Sequence, residues 1–227
     1  MKMIKHFNLY RDGNIRLSQH FKVKEFRCKD GSETIIIDLD LITILESLFV
    51  NLDCKAINIT SGYRTPSWSV HVGGYSTDMH TQGKAVDIQC KDKYGKPITA
   101  EKILMCYEDL GYKGGAGYIS RYSVHIDTRE KQCFFVEPKM NTTVSWHAFF
   151  GKPIKEAYNV MITIDENLNI RKGAGTKYKA VYTVPRDTRL RIKIGNVKGG
   201  FLNYGAWGNI LYTDMWCSMS PAMVKFL

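Results

Sequence analysis

Two stretches of the chain carry apolar residues at the spacing of an amphipathic helix. In residues 38–52 the apolar positions recur with a period near 3.6, which predicts a helix with one buried face. Thr99 to Leu110 shows the same period and is followed by Gly111, a common helix-ending residue. Short runs at 56–60, 84–89, 115–119 and 123–127 predict strands. Residues 1–152 are therefore expected to form an α+β domain, a mainly antiparallel sheet with helices on one side.

The pattern changes after Pro153. Helical periodicity ends, and short runs rich in Val, Ile, Tyr and Thr are separated by Gly, Asn, Asp and Pro. This spacing is typical of a small all-β barrel, so a second domain is expected over residues 158–227. Its predicted strands are residues 159–164, 168–171, 180–184, 189–194, 207–212 and 215–217.

Composition bears mainly on partners and location. The formal net charge is +10, and residues 157–227 hold ten Lys/Arg against four Asp/Glu. A basic module favours a polyanionic partner such as a wall polymer, nucleic acid or anionic lipid, although a solvated basic face is the commoner explanation. No apolar run approaches the length of a membrane span, and the chain starts without an apolar signal segment. We therefore expect no membrane insertion and synthesis in the cytoplasm, where the six cysteines stay free thiols.

His80, Asp87 and His125 are the strongest candidates for chemistry. Two imidazoles and one carboxylate are the donors that a catalytic zinc ion uses when its fourth position stays open for water. Asp87 and His125 lie on predicted strands, and Gly83 permits a tight path between the His80 loop and the first of them. Without further context the three donors are a weak signal, because most such triples are unrelated surface residues.

Ser123 and Asp127 would project beside His125, because positions two apart share one face of a strand. Asp127 is then a candidate for the second layer of residues around the metal, where it would act as a general base or as the group that orients His125. The alternative is a solvated acid in a turn with Thr128 and Arg129, and the sequence leaves both open. Arg64 ends the apolar run 56–60 in a Gly/Pro turn, where its guanidinium could clamp a carboxylate with two hydrogen bonds.

Four motifs and their spacing resemble those of the zinc D-alanyl-D-alanine carboxypeptidase family, the peptidoglycan branch of the fold shared with lysostaphin and the hedgehog signalling domain. The motifs are Ser61-Gly62-Tyr63-Arg64-Thr65-Pro66, Val72-Gly73-Gly74, His80-x-x-Gly83-x-Ala85-x-Asp87 and Val124-His125-Ile126-Asp127-Thr128-Arg129. The resemblance covers roughly residues 15–140. It implies a peptidase of bacterial wall peptides in which His80, Asp87 and His125 hold one zinc ion and Arg64 binds a substrate carboxylate, with Tyr63 and Ser123 as further substrate contacts.

The C-terminal part resembles bacterial SH3-like domains. The matching segments are Leu168-Asn169-Ile170-Arg171-Lys172-Gly173-Ala174-Gly175-Thr176-Lys177-Tyr178, Trp207-Gly208, Trp216-Cys217-Ser218 and Met223-Val224. When such modules are joined to wall hydrolases, they usually hold the enzyme on its substrate, so the resemblance implies a tether that raises the effective concentration of substrate. The alternative is a barrel that only rigidifies the enzyme. The combination resembles the endolysins of bacteriophages and prophages, which are stored in the cytoplasm and act on the wall after release.

Three positions depart from the family pattern. Asp78 stands two residues before the first histidine ligand, where the family usually has a small residue. Tyr122 and Ser123 occupy positions where branches of the family carry an acid or a histidine before the last ligand. The motif therefore supplies no general base, and Asp127 becomes the best candidate for base or orienting group.

The hypothesis from sequence is a monomeric, two-domain zinc peptidase of peptidoglycan, of endolysin type. One rival is a degenerate zinc fold that retains the metal but only binds the wall, which the missing base favours. The other is a nucleic-acid-binding protein, suggested by the pI of about 9.2. We do not expect nucleic acid as the partner, because the chain shows neither a basic helix nor the basic-aromatic pattern of a recognised module.

Overall fold

The described part of the chain contains five short to medium helices. The computed structural model describes residues 3–137, 141–143, 145–153, 157–162, 167–193, 198–200 and 204–227. The helices are α1 (Leu9–Asp12), α2 (Leu39–Asn51), α3 (Pro66–His71), α4 (Ala100–Asp109) and α5 (Trp146–Phe149), with a 3₁₀ turn at Val23–Phe26. The helices predicted over 38–52 and 99–110 are confirmed as α2 and α4. In the described ranges, no helix combines the length and apolarity needed to cross a bilayer.

A six-stranded sheet forms the centre of the N-terminal part. Its strands are β3 (Cys54–Ser61), β4 (Ala85–Asp92), β5 (Gly115–Ser120), β6 (Ser123–Asp127), β7 (Cys133–Val136) and β8 (Asn141–Thr143). They lie in the order β3-β4-β6-β5-β7-β8, and β5 pairs with β7 in parallel while the other neighbours are antiparallel. The predicted strands are thus confirmed, and β7 and β8 extend the sheet beyond the prediction.

One face of this sheet packs against α2 and α4. Leu41, Leu45 and Leu48 of α2 are buried, as are Val124 and Ile126 of β6. The helices form because their apolar residues recur on one side, and burying that side against the sheet stabilises them far more than local propensity does. Since successive strand residues alternate faces, this leaves Ser123, His125 and Asp127 to the opposite face.

A separate two-stranded sheet, β1 (Ile4–Asn8) with β2 (Thr34–Asp38), precedes α2. Asp38 at the end of β2 is fully buried and caps α2 by accepting a hydrogen bond from the backbone N–H of Asp40 (3.1 Å). Its other carboxylate oxygen accepts from Thr128 Oγ1 (2.7 Å), and its N–H donates to the carbonyl of Gly83 (2.8 Å). Asp38 therefore ties the start of α2 to the turn that precedes β4.

The described residues of the C-terminal part form strands and turns, as the sequence pattern predicted. Its strands are β9 (Ala157–Ile162), β10 (Leu168–Arg171), β11 (Ala180–Val184), β12 (Arg189–Lys193), β13 (Trp207–Asn209), β14 (Trp216–Ser218) and β15 (Val224–Phe226). They form one sheet of order β11-β10-β14-β13 and another of order β12-β9-β15. An isolated bridge between Ile192 and Ile210 links the two sheets.

The predicted SH3-like barrel is not confirmed, because no closed barrel is found among the described strands. The strand predicted over 207–212 is shorter than expected and ends at Asn209. Beyond it the chain turns, with the Thr213 N–H donating to the carbonyl of Ile210 (3.1 Å) and Tyr212 at a φ of 64°. Residues 163, 164 and 194 of the predicted strands lie outside the described ranges.

Helix α2 docks directly on β12. The Asn51 side chain donates to the carbonyl of Arg189 (2.8 Å) and accepts from the N–H of Arg191 (2.9 Å). The hydroxyl of Ser47, one helical turn earlier, accepts from the N–H of Arg189 (2.9 Å). Asn51 thus pairs with the edge of β12 as a neighbouring strand would. The boundary predicted between residues 152 and 158 stays a prediction.

Replacing Asn51 with alanine should lower the free energy of unfolding by about 1–3 kcal/mol, because a buried N–H and a carbonyl lose their partners. Urea unfolding followed by circular dichroism measures the change. Asn58→Ala on β3, where the side chain is exposed, is the matched control and should change stability by less than about 0.5 kcal/mol. Equal effects of the two substitutions would contradict the role given to Asn51.

Candidate metal centre

The register of β4 and β6 brings two of the three predicted ligands together. Asp87 lies directly opposite His125 in this antiparallel pair. Directly opposite residues project from the same face, so the carboxylate and the imidazole meet above the sheet. Nδ1 of His125 lies 3.0 Å from Oδ1 of Asp87.

His80 reaches the same point from the loop before β4. Its Nε2 lies 3.3 Å from Nδ1 of His125 and 3.4 Å from Oδ1 of Asp87. Zn–N and Zn–O bonds of 2.0–2.1 Å at tetrahedral angles place neighbouring donors roughly 3.3–3.4 Å apart. The described residues thus bring His80, Asp87 and His125 into one group that could hold a metal ion, as predicted from their spacing.

The loop that carries His80 is held by hydrogen bonds to the side chain of Asp78. Asp78 accepts hydrogen bonds from the N–H of Thr81 (3.0 Å) and from the hydroxyl of Ser69. Gly83 then adopts a φ of +69°, and a Cβ there would lie 2.4 Å from the carbonyl of Ile36, so only glycine fits this turn. The departure at Asp78 therefore has a structural explanation, since the carboxylate orders the loop.

Each imidazole is oriented by a hydrogen bond from its outer nitrogen. Nδ1 of His80 donates to the carbonyl of Gly62 (2.8 Å), and Nε2 of His125 donates to Oδ2 of Asp127 (3.0 Å). A carbonyl and an ionised carboxylate can only accept, so these bonds fix which nitrogen carries the proton. The remaining nitrogen of each ring then presents its lone pair to the shared position.

Asp127 is fully buried, which makes the alternative of a solvated turn acid wrong. Its oxygens accept from the N–H of Gly115 (2.8 Å) and from Nε of Arg129 (2.8 Å), in addition to His125. Burial opposes its ionisation, but the hydrogen bonds from His125 and Arg129 outweigh burial and hold the pKa of Asp127 below its usual range. With its oxygens occupied, the geometry favours the orienting role that the sequence left open over the role of base.

Arg64 contacts the site, but its position differs from a free substrate clamp. Its Nη2 donates to Oδ2 of Asp87 (2.6 Å), and its Nε donates to the hydroxyl of Ser61 (2.8 Å). Burial opposes the charge of Asp87, while hydrogen bonds from His125 and His80 outweigh it and hold the pKa of Asp87 below its usual range. Asp87 therefore stays ionised, and Arg64 fixes the carboxylate oxygen that faces away from the histidines.

A cleft of about 320 Å³ opens beside Asp87. Its walls include Lys29, Arg64, Trp68, Ile119 and Ser123. The predicted substrate contacts Arg64 and Ser123 thus line the cleft. Tyr63 instead lies in the hydrophobic core with 7% of its surface exposed, and substrate contact by this residue stays a prediction.

A larger cleft of about 550 Å³ lies elsewhere, beside Tyr112, Arg129 and Arg189. Its lining includes none of His80, Asp87 and His125. Size alone would select this cleft, but the metal-ligand chemistry selects the smaller one.

Glu137 is a further acid at the site that the sequence analysis missed. It follows β7, and the charges that act on its carboxyl group include those of Asp87, His125, Arg64 and His80. The strand prediction omitted residues 133–136, a short run without polar alternation. The sequence did contain a signal for Glu137. The apolar run 133–136 ends at this acid, eight residues after Arg129 closes the Val124–Arg129 motif.

Comparison with known proteins agrees with this geometry. Residues 19–127 match the profile of the family described as Peptidase M15. The matched range contains all three candidate ligands and supports an M15-type zinc peptidase domain, a class that suggests action on peptidoglycan. No significant match was found among curated proteins or among solved structures.

Zinc binding should depend on His80 and occur at about one ion per chain. His80→Ala removes one of three protein donors and should abolish stoichiometric binding, measured by elemental analysis after gel filtration. His6→Ala is the control, because His6 is exposed on β1 and outside the donor group. Retention of zinc by His80→Ala, or its loss from His6→Ala, would contradict the site.

Zinc binding should also release about one proton near pH 7. Burial opposes a second proton on His125, but hydrogen bonds with Asp127 and Asp87 outweigh it and raise the pKa of His125 to about 9. Below this pKa the metal-free ring is protonated at Nδ1, so apparent zinc affinity should rise with pH between 6.5 and 8.5, by about tenfold per unit.

Calorimetry in buffers of different ionisation enthalpy measures the proton release. Asp127→Asn keeps an acceptor but removes the charge that favours the imidazolium, so fewer protons should be released at pH 7. An affinity that is independent of pH over this range would contradict the assignment of Nδ1 of His125 as a ligand.

Proposed function

We propose that this protein is a zinc peptidase that hydrolyses a peptide bond of bacterial peptidoglycan, in the stem peptide or the cross-bridge. The observation that carries the proposal is the convergence of Nε2 of His80, Oδ1 of Asp87 and Nδ1 of His125 at 3.0–3.4 Å from one another. The Peptidase M15 match over the same residues supports the substrate class. Zinc, when bound, supplies Lewis acidity for the scissile carbonyl and makes water a nucleophile at neutral pH.

The residues around the ligands would position the substrate. Arg64 pairs with Asp87 at the cleft, and Lys29 adds a second cation, which suits the carboxylates of wall peptides. Trp68 and Ile119 add apolar walls, and Ser123 adds a hydroxyl on the strand that carries His125. Holding a peptide in this cleft places its carbonyl near the metal position, which lowers the entropic cost of the reaction.

The C-terminal part would hold the enzyme on the wall, as an SH3-like module of an endolysin-type protein does. Its excess of basic residues suits polyanionic wall polymers. Tyr178, Tyr204 and Tyr212 are exposed there, and such amphipathic side chains are common at binding surfaces. The contribution to activity would come from effective concentration, without any part in the chemistry.

The test is digestion of purified peptidoglycan sacculi of several chemotypes by the zinc-loaded protein, with the products identified by mass spectrometry. The wild-type protein and His6→Ala should generate new peptide termini, and His80→Ala should generate none. Loss of one terminal residue would identify a carboxypeptidase, and an internal cut an endopeptidase.

Absence of new termini from every chemotype would contradict the proposed activity, provided that zinc is bound. If the protein also sedimented with the sacculi, it would be a wall-binding protein that retains a zinc site.

A further inference from the structure

Glu137 lies on the same face of the sheet as the metal ligands. Four neighbouring strands carry residues that lie opposite one another: Asp87 on β4, His125 on β6, Gly117 on β5 and Phe135 on β7. Their side chains therefore share a face, and the rings of His125 and Phe135 lie 5.4 Å apart. Gly117 makes this contact possible, because a Cβ there would lie 2.4 Å from the Phe135 ring. Glu137 follows Phe135 by two residues, directly after the end of β7, so alternation continued by one residue would direct it to this face as well.

The cleft lies at the same end of this face. Ser123 precedes His125 by two residues on β6, Ile119 follows Gly117 by two on β5, and both line the cleft. Glu137 takes the corresponding position directly after β7, which runs parallel to β5 and pairs Tyr118 with Val136. Its N–H donates to the carbonyl of Tyr118 (2.9 Å), which fixes its backbone against β5.

The surroundings of the Glu137 carboxyl group suit proton transfer. Burial raises its pKa, and the negative charge of Asp87 raises it further, while the positive charges of His125, Arg64 and His80 oppose the shift. Within the described residues, its side chain forms no hydrogen bond or ion pair. A carboxyl group that lies near the metal ligands and is not engaged by the described residues is the type of side chain that accepts and returns a proton.

The other acids of the site are already engaged. Asp87 offers one oxygen to the histidines and the other to Arg64. The oxygens of Asp127 accept from Gly115, His125 and Arg129, and Asp78 orders the His80 loop.

We propose that Glu137 is the catalytic residue that transfers the proton in this hydrolysis; the inference rests on the proposed function. The carboxylate accepts one proton from water as the water oxygen bonds to the peptide carbonyl carbon. It then gives that proton to the peptide nitrogen as the C–N bond breaks. The products are a carboxylic acid and an amine, and Glu137 returns to its ionised form.

Glu137→Gln preserves the shape of the side chain but removes its ability to accept the proton. Its kcat on sacculi should fall about 10²–10⁴-fold, while zinc content and sedimentation with sacculi stay those of the wild-type protein. Glu137→Asp keeps a carboxylate at a greater distance and should give an intermediate kcat. Glu101→Gln on α4 is the control, because Glu101 is also partly buried but outside the site, and its kcat should not change.

A binding measurement gives a second readout that needs no turnover. Acetohydroxamate, a chelator of zinc, must give up its hydroxyl proton on binding, and Glu137 would accept it. Calorimetry on the zinc-loaded proteins should show affinity lowered by about tenfold or more in Glu137→Gln, and unchanged in Glu101→Gln.

The inference is overturned if Glu137→Gln keeps the wild-type kcat and hydroxamate affinity, or if it loses zinc, since that would make Glu137 part of the metal-holding structure. An inactive wild-type protein that binds zinc would instead refute the proposed function. An active wild-type protein with an equally active Glu137→Gln would refute only the role of Glu137.

Discussion

The site depends on holding three electron-donating atoms within 3.4 Å of one another. Without a cation between them, two imidazole lone pairs and a carboxylate oxygen repel, and burial makes this repulsion stronger. In the metal-free protein a proton on His125 reduces this repulsion, and hydrogen bonds with Asp127 and Asp87 raise the pKa of the histidine to about 9 despite its burial. A divalent cation satisfies all three donors at once, and the close approach therefore favours metal binding.

The fold maintains this arrangement by backbone register and by a second layer of acceptors. Pairing of β4 with β6 sets Asp87 opposite His125, and a one-residue slip would move one of them to the core face. The carbonyl of Gly62 and the carboxylate of Asp127 then set the rotation of the two rings. Arg64 and Arg129 form ion pairs with the two aspartates, and these pairs partly offset the cost of burying the two carboxylates.

Much of this site was predictable because its residues lie on elements with clear patterns. Alternation over 84–89 and 123–127 predicted that Asp87 and His125 lie on strands, and the resemblance of the motifs implied that these two residues and His80 are metal ligands. The pairing of Arg64 with Asp87 was not predictable, since spacing does not reveal which carboxylate a guanidinium will meet. Glu137 was missed because β7 is short and apolar and joins the sheet through a parallel pairing that local periodicity does not encode. In the C-terminal part the strands were predictable, but the arrangement of two sheets depends on long-range pairing.

The most direct test of the central claim is crystallography of the zinc-loaded protein with anomalous scattering at the zinc edge. The account predicts one anomalous peak about 2.0–2.2 Å from Nε2 of His80, Oδ1 of Asp87 and Nδ1 of His125, with a fourth position open towards the cleft. A peak at the cysteines or at the surface histidines, or coordination of His125 through Nε2, would contradict it.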